Sequence, residues 1–148
     1  MLERVETAQR EGHAMLTRRA FAACAFCATD VLAASGTEAE TAAAPGMKST
    51  LLKETDGPAQ GYITIEIRVD LEPNAPIPRH THPGVESGYV VEGATGLDVE
   101  CLGALTLRAG DAYRAPTGAP HSGHNGQAKT VIAATFVVEK GKPLASDT

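Results

Sequence analysis

Four side chains of the kind that ligate transition metals are concentrated in two short stretches of this sequence. His80, His82 and Glu86 lie in His80-Thr-His82-Pro-Gly-Val-Glu86, and His121 ends Gly110-Asp-Ala-Tyr-Arg-Ala-Pro116-Thr-Gly118-Ala-Pro-His121. Imidazole nitrogen together with carboxylate oxygen suits Fe, Mn, Ni, Cu or Zn. The chain has five histidines, and three of them fall in these stretches. A divalent transition metal is therefore the cofactor these residues point to. Three imidazoles and one carboxylate around an octahedral ion would leave positions open for water, substrate or dioxygen. Open positions separate a catalytic site from a closed structural one.

Such a site needs a scaffold that aims all four groups at one point. His80 and His82 are two residues apart, and in a strand side chains at i and i+2 share a face. Pro83-Gly84 permits a bend, after which even parity keeps Glu86 on the same face. His121 must arrive from another strand, along a path fixed by Pro116, Gly118 and Pro120. From Met47 onward the hydrophobic period is two. In Tyr62 to Val69, residues Ile63, Ile65, Ile67 and Val69 line one face and Thr64, Glu66 and Arg68 the other, the pattern of a half-buried strand. Pro73, Pro76 and Pro78 forbid a helix and keep the following stretch extended. Further strands are expected over Val85 to Glu92, Leu97 to Leu102, Leu105 to Leu107, Asp111 to Ala115 and Lys129 to Val138. A hairpin is expected around Gly103-Ala104. Several short strands with turn signals between them predict an all-β sandwich or barrel.

With these residues in view, the chain resembles the cupins, of the small single-domain type-2 kind. His80-x-His82, three residues, Glu86, six residues and Gly93 match the first cupin motif. Gly110, five residues, Pro116-x-Gly118, two residues, His121, three residues and Asn125 match the second; 16 residues separate the motifs. The resemblance covers about residues 47 to 143. It implies a conserved β-barrel (a double-stranded β-helix, jelly-roll-like, of two antiparallel sheets) and a metal held by His80, His82, Glu86 and His121. Dimers are common in such families, so a homodimer is the implied assembly.

Residues around the ligands read less sharply. His124 is expected on an exposed loop after His121, with a role at a pocket mouth as the alternative. Tyr89 falls on the face opposite Glu86 and reads as a packing residue. Tyr113 shares parity with Ala115, and which face of that strand is inside stays open. Arg79 and Arg114 could bind an anionic substrate or be solvated at the surface. Asn125 and Gly110 read as turn residues, and Cys101 as a buried or half-buried strand residue.

At 148 residues, with 43% apolar and 21% charged residues, one soluble globular domain is the expectation. Net charge is −5, aromatics are 4% and Trp is missing. The chain therefore lacks both the basic footprint and the stacking residues of a nucleic-acid binder. Residues 1–46 read as an N-terminal extension with an export signal and linker, 47–143 as the barrel and 144–148 as a C-terminal tail. Met15 to Ala34 read MLTRRAFAACAFCATDVLAA, and Thr17-Arg18-Arg19-Ala20-Phe21 resembles a twin-arginine signal. That predicts a periplasmic protein, and the apolar run is too short for a stable membrane span. Cys24-Ala-Phe-Cys27 lies within that run and is not read as a redox or zinc motif.

Two readings follow, with a third beside them. The first is a metal-dependent oxidoreductase, dioxygenase-like, acting on a small organic substrate. The second is a non-catalytic periplasmic cupin that binds a metal or small ligand. The third is metal-assisted isomerase or lyase chemistry in the same pocket.

Overall fold

The computed structural model describes residues 44–148, and within them every regular element is a strand. The strands are β1 (Met47–Asp56), β2 (Tyr62–Leu71), β3 (Pro76–Thr81), β4 (Gly84–Glu92), β5 (Ala94–Val99), β6 (Gly103–Arg108), β7 (Ala112–Ala115), β8 (His121–Asn125), β9 (Thr130–Glu139) and β10 (Ser146–Asp147). They form two five-stranded sheets, ordered β1-β2-β9-β4-β7 and β10-β3-β8-β5-β6, with antiparallel pairing throughout. This is the jelly-roll barrel expected of a cupin. The export-signal pattern and Cys24-Ala-Phe-Cys27 lie outside the described residues.

Alternation builds the core. Ile65, Ile67 and Leu71 of β2 face inward with Ile132, Ala134, Phe136 and Val138 of β9 and Val90 of β4. Leu97, Val99 and Leu107 meet them from the second sheet. Glu66 and Arg68, at the intervening positions of β2, are exposed. One residue in two therefore leaves water, which is how a two-sheet fold obtains its driving force.

Gly93, the last residue of the first motif, joins β4 to β5 and crosses the chain between sheets. Its φ is +83°, and a Cβ there would lie 2.4 Å from the Lys129 carbonyl oxygen. Only glycine accepts both that dihedral and that contact.

Four expectations need correction. The hairpin turn occupies residues 100–102, and β6 begins at Gly103, so the reversal comes earlier than the Gly103-Ala104 pair. Cys101 sits on that turn and is exposed, not buried in a strand. The turn carries it beyond the ladder, where among the described residues no opposite sheet covers it. Residues 144–148 are not a tail beyond the barrel. Leu144 belongs to the core at 8% exposure, and Ser146 and Asp147 pair with Thr81 and His80. Asn125 is a buried clamp at the end of β8, not a turn residue; it is 2% exposed. Its Nδ2 donates to the carbonyl oxygens of Leu71 at 3.1 Å, Glu72 at 2.7 Å and Ala128 at 3.0 Å.

Candidate metal centre

Two sheets deliver the four predicted side chains to one region. β3 and β8 are antiparallel neighbours with His80 directly opposite His121. Directly paired residues share a face, so both rings point inward, with centroids 4.3 Å apart. His82 follows β3 by one residue, and its ring lies 4.8 Å from that of His80. Each of the three imidazoles offers a nitrogen within 4.8 Å of the others. Glu86 comes from the other sheet, on β4 between Phe136 of β9 and Ala115 of β7. Its Oε2 lies 3.2 Å from His82 Nε2 and 3.1 Å from His121 Nε2.

The protons on the three imidazoles are placed by the backbone. His80 Nδ1 is 2.7 Å from the Pro78 carbonyl oxygen, His82 Nδ1 2.6 Å from that of Leu144, and His121 Nδ1 3.0 Å from that of Ala119. A carbonyl can only accept, so Nδ1 must carry the hydrogen in each ring. In the neutral form of each ring, Nε2 is then the atom that carries the lone pair. Fixing the tautomer in this way is what metal-binding histidines require of their surroundings.

Three lone pairs beside a carboxylate leave the cluster short of positive charge. Glu86 is 6% exposed. Among the described residues, neither Lys nor Arg lines its cavity. His82 Nε2 and Glu86 Oε2 are buried without a hydrogen-bond partner among the described residues. Buried charge is normally paired or bound to metal. Burial alone would push the Glu86 carboxyl up. The His121 and His82 imidazoles beside Oε2, with the Tyr113 hydroxyl on Oε1, outweigh it and hold the carboxyl below its usual range. Burial lowers His80 below the ordinary histidine value and keeps it neutral. At His121 burial also lowers the pKa, but the adjacent Glu86 carboxylate and the Ala119 carbonyl oxygen more than reverse it. The pull of Glu86 on a proton there is the pull it would exert on any cation between Nε2 and Oε2. The donor set, its tautomers and its unpartnered atoms all fit a divalent transition ion.

The rest of the cavity is mainly hydrocarbon. Ile67, Ile77, Leu97, Leu107, Ile132 and Phe136 are among the residues that line it. Phe136 sets its ring 4.8 Å from that of His82, edge-on. Tyr113 faces inward, opposite Gly88, and donates its hydroxyl to Glu86 Oε1 at 2.6 Å. Burial, reinforced by the Glu86 charge, raises its pKa well above the ordinary phenol value, so it remains a donor.

Other residues weighed as site candidates point elsewhere. Tyr89 is on the face opposite Glu86 but is 50% exposed, because among the described residues no third layer covers that side. Arg79 is exposed and pairs with Glu100, and Arg114 is exposed on the outer face of β7. His124 is exposed, but within β8 and not on a loop. Pairing with both Pro76 and Gly96 extends the chain there despite a sequence poor in strand formers.

The carbonyls that orient the histidines, and the Tyr113 hydroxyl, were invisible in the sequence. A carbonyl carries no residue identity. Tyr113 could be placed only by knowing which face of β7 is inside.

Comparison with known proteins agrees with this architecture. Residues 67–141 match the model of the cupin domain. None of the curated proteins matches the sequence significantly. Among solved structures, KdgF from Halomonas sp. superposes with a TM-score of 0.55 at 22% identity, over 66% of this chain and 83% of that one. The DMSP lyase DddQ from Ruegeria pomeroyi DSS-3 gives 0.58 at 18%, over 69% and 51%. A recombinant oxalate oxidase in complex with glycolate gives 0.54 at 22%, over 74% and 58%. This chain thus spans about half the length of DddQ. At these identities the likeness is one of fold. Motif spacing, barrel topology and the family match together establish that the chain belongs to the cupin domain family.

Proposed function

We propose that the protein is a metal-dependent oxidoreductase of dioxygenase type, acting on a small, largely apolar substrate with one chelating end. His80, His82 and His121 would hold a divalent transition ion through Nε2, and Glu86 through Oε2. When bound, such an ion supplies Lewis-acid polarisation of a chelating oxygen and, if redox-active, a route for electrons to dioxygen. The protein's own part is positioning. Backbone carbonyls hold the three tautomers, and the apolar wall excludes water and receives the substrate's hydrocarbon body. No Lys or Arg lines the cavity among the described residues, so a substrate anion would be neutralised at the ion alone.

The observation that carries this reading is a four-donor cluster inside an apolar cavity that, among the described residues, holds no free acid or base. Tyr113 is engaged with Glu86, and Thr95 Oγ1 is 3.4 Å from the His124 carbonyl oxygen. Isomerase or lyase chemistry needs a group to move a proton; oxidation by dioxygen at a chelated substrate does not need a separate one. The reading is tested by loading the protein with Fe(II) and following oxygen uptake with catechols, thiols and diketones. Saturable uptake with at least one class is expected. Full iron loading with no uptake across the panel would contradict it and leave a non-catalytic binding cupin.

We also read the protein as exported to the periplasm, on the Arg18-Arg19 pattern. Its ten-residue edge strand β1, with Leu51 and Leu52 at 41% and 58% exposure, supports a homodimer. No helix among the described residues is long and apolar enough to cross a membrane.

A further inference from the structure

We propose that Tyr113, seated on Gly88, holds Glu86 as a one-oxygen ligand and so keeps one more position at the ion open to substrate. This rests on the metal reading above and concerns a residue outside the ligand set.

Local geometry carries it. β7 runs antiparallel to β4, with Tyr113 opposite Gly88 and Ala115 opposite Glu86. An aromatic side chain in such a pair reaches the diagonal neighbour two residues along, which here is Glu86. It reaches that neighbour only because position 88 has no side chain. A Cβ on Gly88 would lie 2.1 Å from Tyr113 Cε1 and 2.2 Å from Cζ. Ala115, opposite Glu86, is small enough to leave room beside the carboxylate and is itself 1% exposed. The hydroxyl then donates to Oε1 at 2.6 Å, while Oε2 faces His82 Nε2 and His121 Nε2.

A hydrogen bond this short to an ionised acceptor is of the strong, orienting kind. It distinguishes two otherwise equivalent oxygens. For the carboxylate to bind through both, Oε1 would have to turn toward the ion and give up the Tyr113 hydroxyl. On its other flank Glu86 is opposite Phe136, which offers no replacement donor. Tyr113 is thus a positioning residue that acts through Glu86.

The test loads the full chain with Co(II) and measures affinity together with the visible absorption bands, which report coordination geometry. Tyr113→Phe keeps the ring on Gly88 and removes only the hydroxyl. It should weaken Co(II) binding roughly tenfold or more, as losing a partner that orients a ligand commonly does. It should also change the bands as the carboxylate swings to two-oxygen binding. Gly88→Ala retains the hydroxyl but displaces the ring, and should change the bands in the same sense. Wild-type affinity in Tyr113→Phe, or lower affinity with unchanged bands, would overturn the positioning role. Wild-type bands in Gly88→Ala would overturn the role of the glycine seat. If the wild-type chain itself fails to bind Co(II), the metal reading falls, and this inference with it.

Discussion

Replacing His121 with alanine is expected to weaken divalent-metal binding at least a hundredfold, about 2.7 kcal/mol. Loss of a partner that merely orients a ligand typically reduces affinity ten- to a hundredfold, and His121 is proposed as a ligand itself. It is 2% exposed, directly opposite His80 on the neighbouring strand, and 3.1 Å from Glu86 Oε2. Ala119 accepts its Nδ1 hydrogen, so Nε2 is its only free donor atom. Water admitted to the gap could ligate at the same point, but it is a weaker donor than imidazole and is not held in place by the chain. His124→Ala is the control: that ring is three residues away on the exposed outer face, and its removal should leave affinity unchanged. Titration against a chromophoric chelator measures both variants. Equal affinity for His121→Ala and wild type would remove His121 from the ligand set.

Asn125→Ala is expected to destabilise the metal-free protein by about 2–3 kcal/mol, since leaving buried acceptors unpaired costs about 1–3 kcal/mol. One side-chain amide serves three carbonyls, from the end of β2, the residue after it, and the turn before β9. Its backbone N–H also donates to Ala75 at 2.8 Å, but that bond survives the substitution. The amide has two hydrogens for three acceptors, so one is shared. In a domain of roughly 100 residues this loss should lower the melting temperature by roughly 10–20 °C. A fall of only a degree or two would show that water replaces the amide and that the clamp carries little. The link to function is direct. Asn125 ends the strand that begins with His121, so loosening one end releases the other.

These two residues also mark what the sequence could and could not convey. His121 was legible because its residue type is rare in this chain and the surrounding Pro and Gly spacing is specific. The parity of His80 and His82 followed from strand geometry alone. The inward face of β2 was readable from Ile63, Ile65, Ile67 and Val69 because one side of that strand is buried. β1 was harder: Leu51 and Leu52 are consecutive, charges sit on both faces, and a register shift falls between Leu51 and Lys53. β8, reading His-Ser-Gly-His-Asn, has no strand-forming composition and is extended by its neighbours on both sides.

Asn125 was visible as a motif residue, but its work as a clamp depends on which carbonyls the fold brings within reach. The same holds for Leu144, whose carbonyl fixes the His82 tautomer across 62 positions of sequence. Such long-range backbone partners leave no pattern in residue types. Tyr113 lay between these cases. Its alternation with Ala115 was readable, but only the pairing of β7 with β4 places Gly88 beneath its ring.

The central claim is that three Nε2 atoms and one carboxylate oxygen share a single ion. The most direct measurement is an anomalous difference map, collected at the absorption edge of the metal that elemental analysis identifies in the purified protein. One strong peak per chain is expected, within about 2.0–2.2 Å of the Nε2 atoms of His80, His82 and His121 and of Glu86 Oε2. Metal far below one ion per chain, or a peak bound anywhere but among these four atoms, would contradict it.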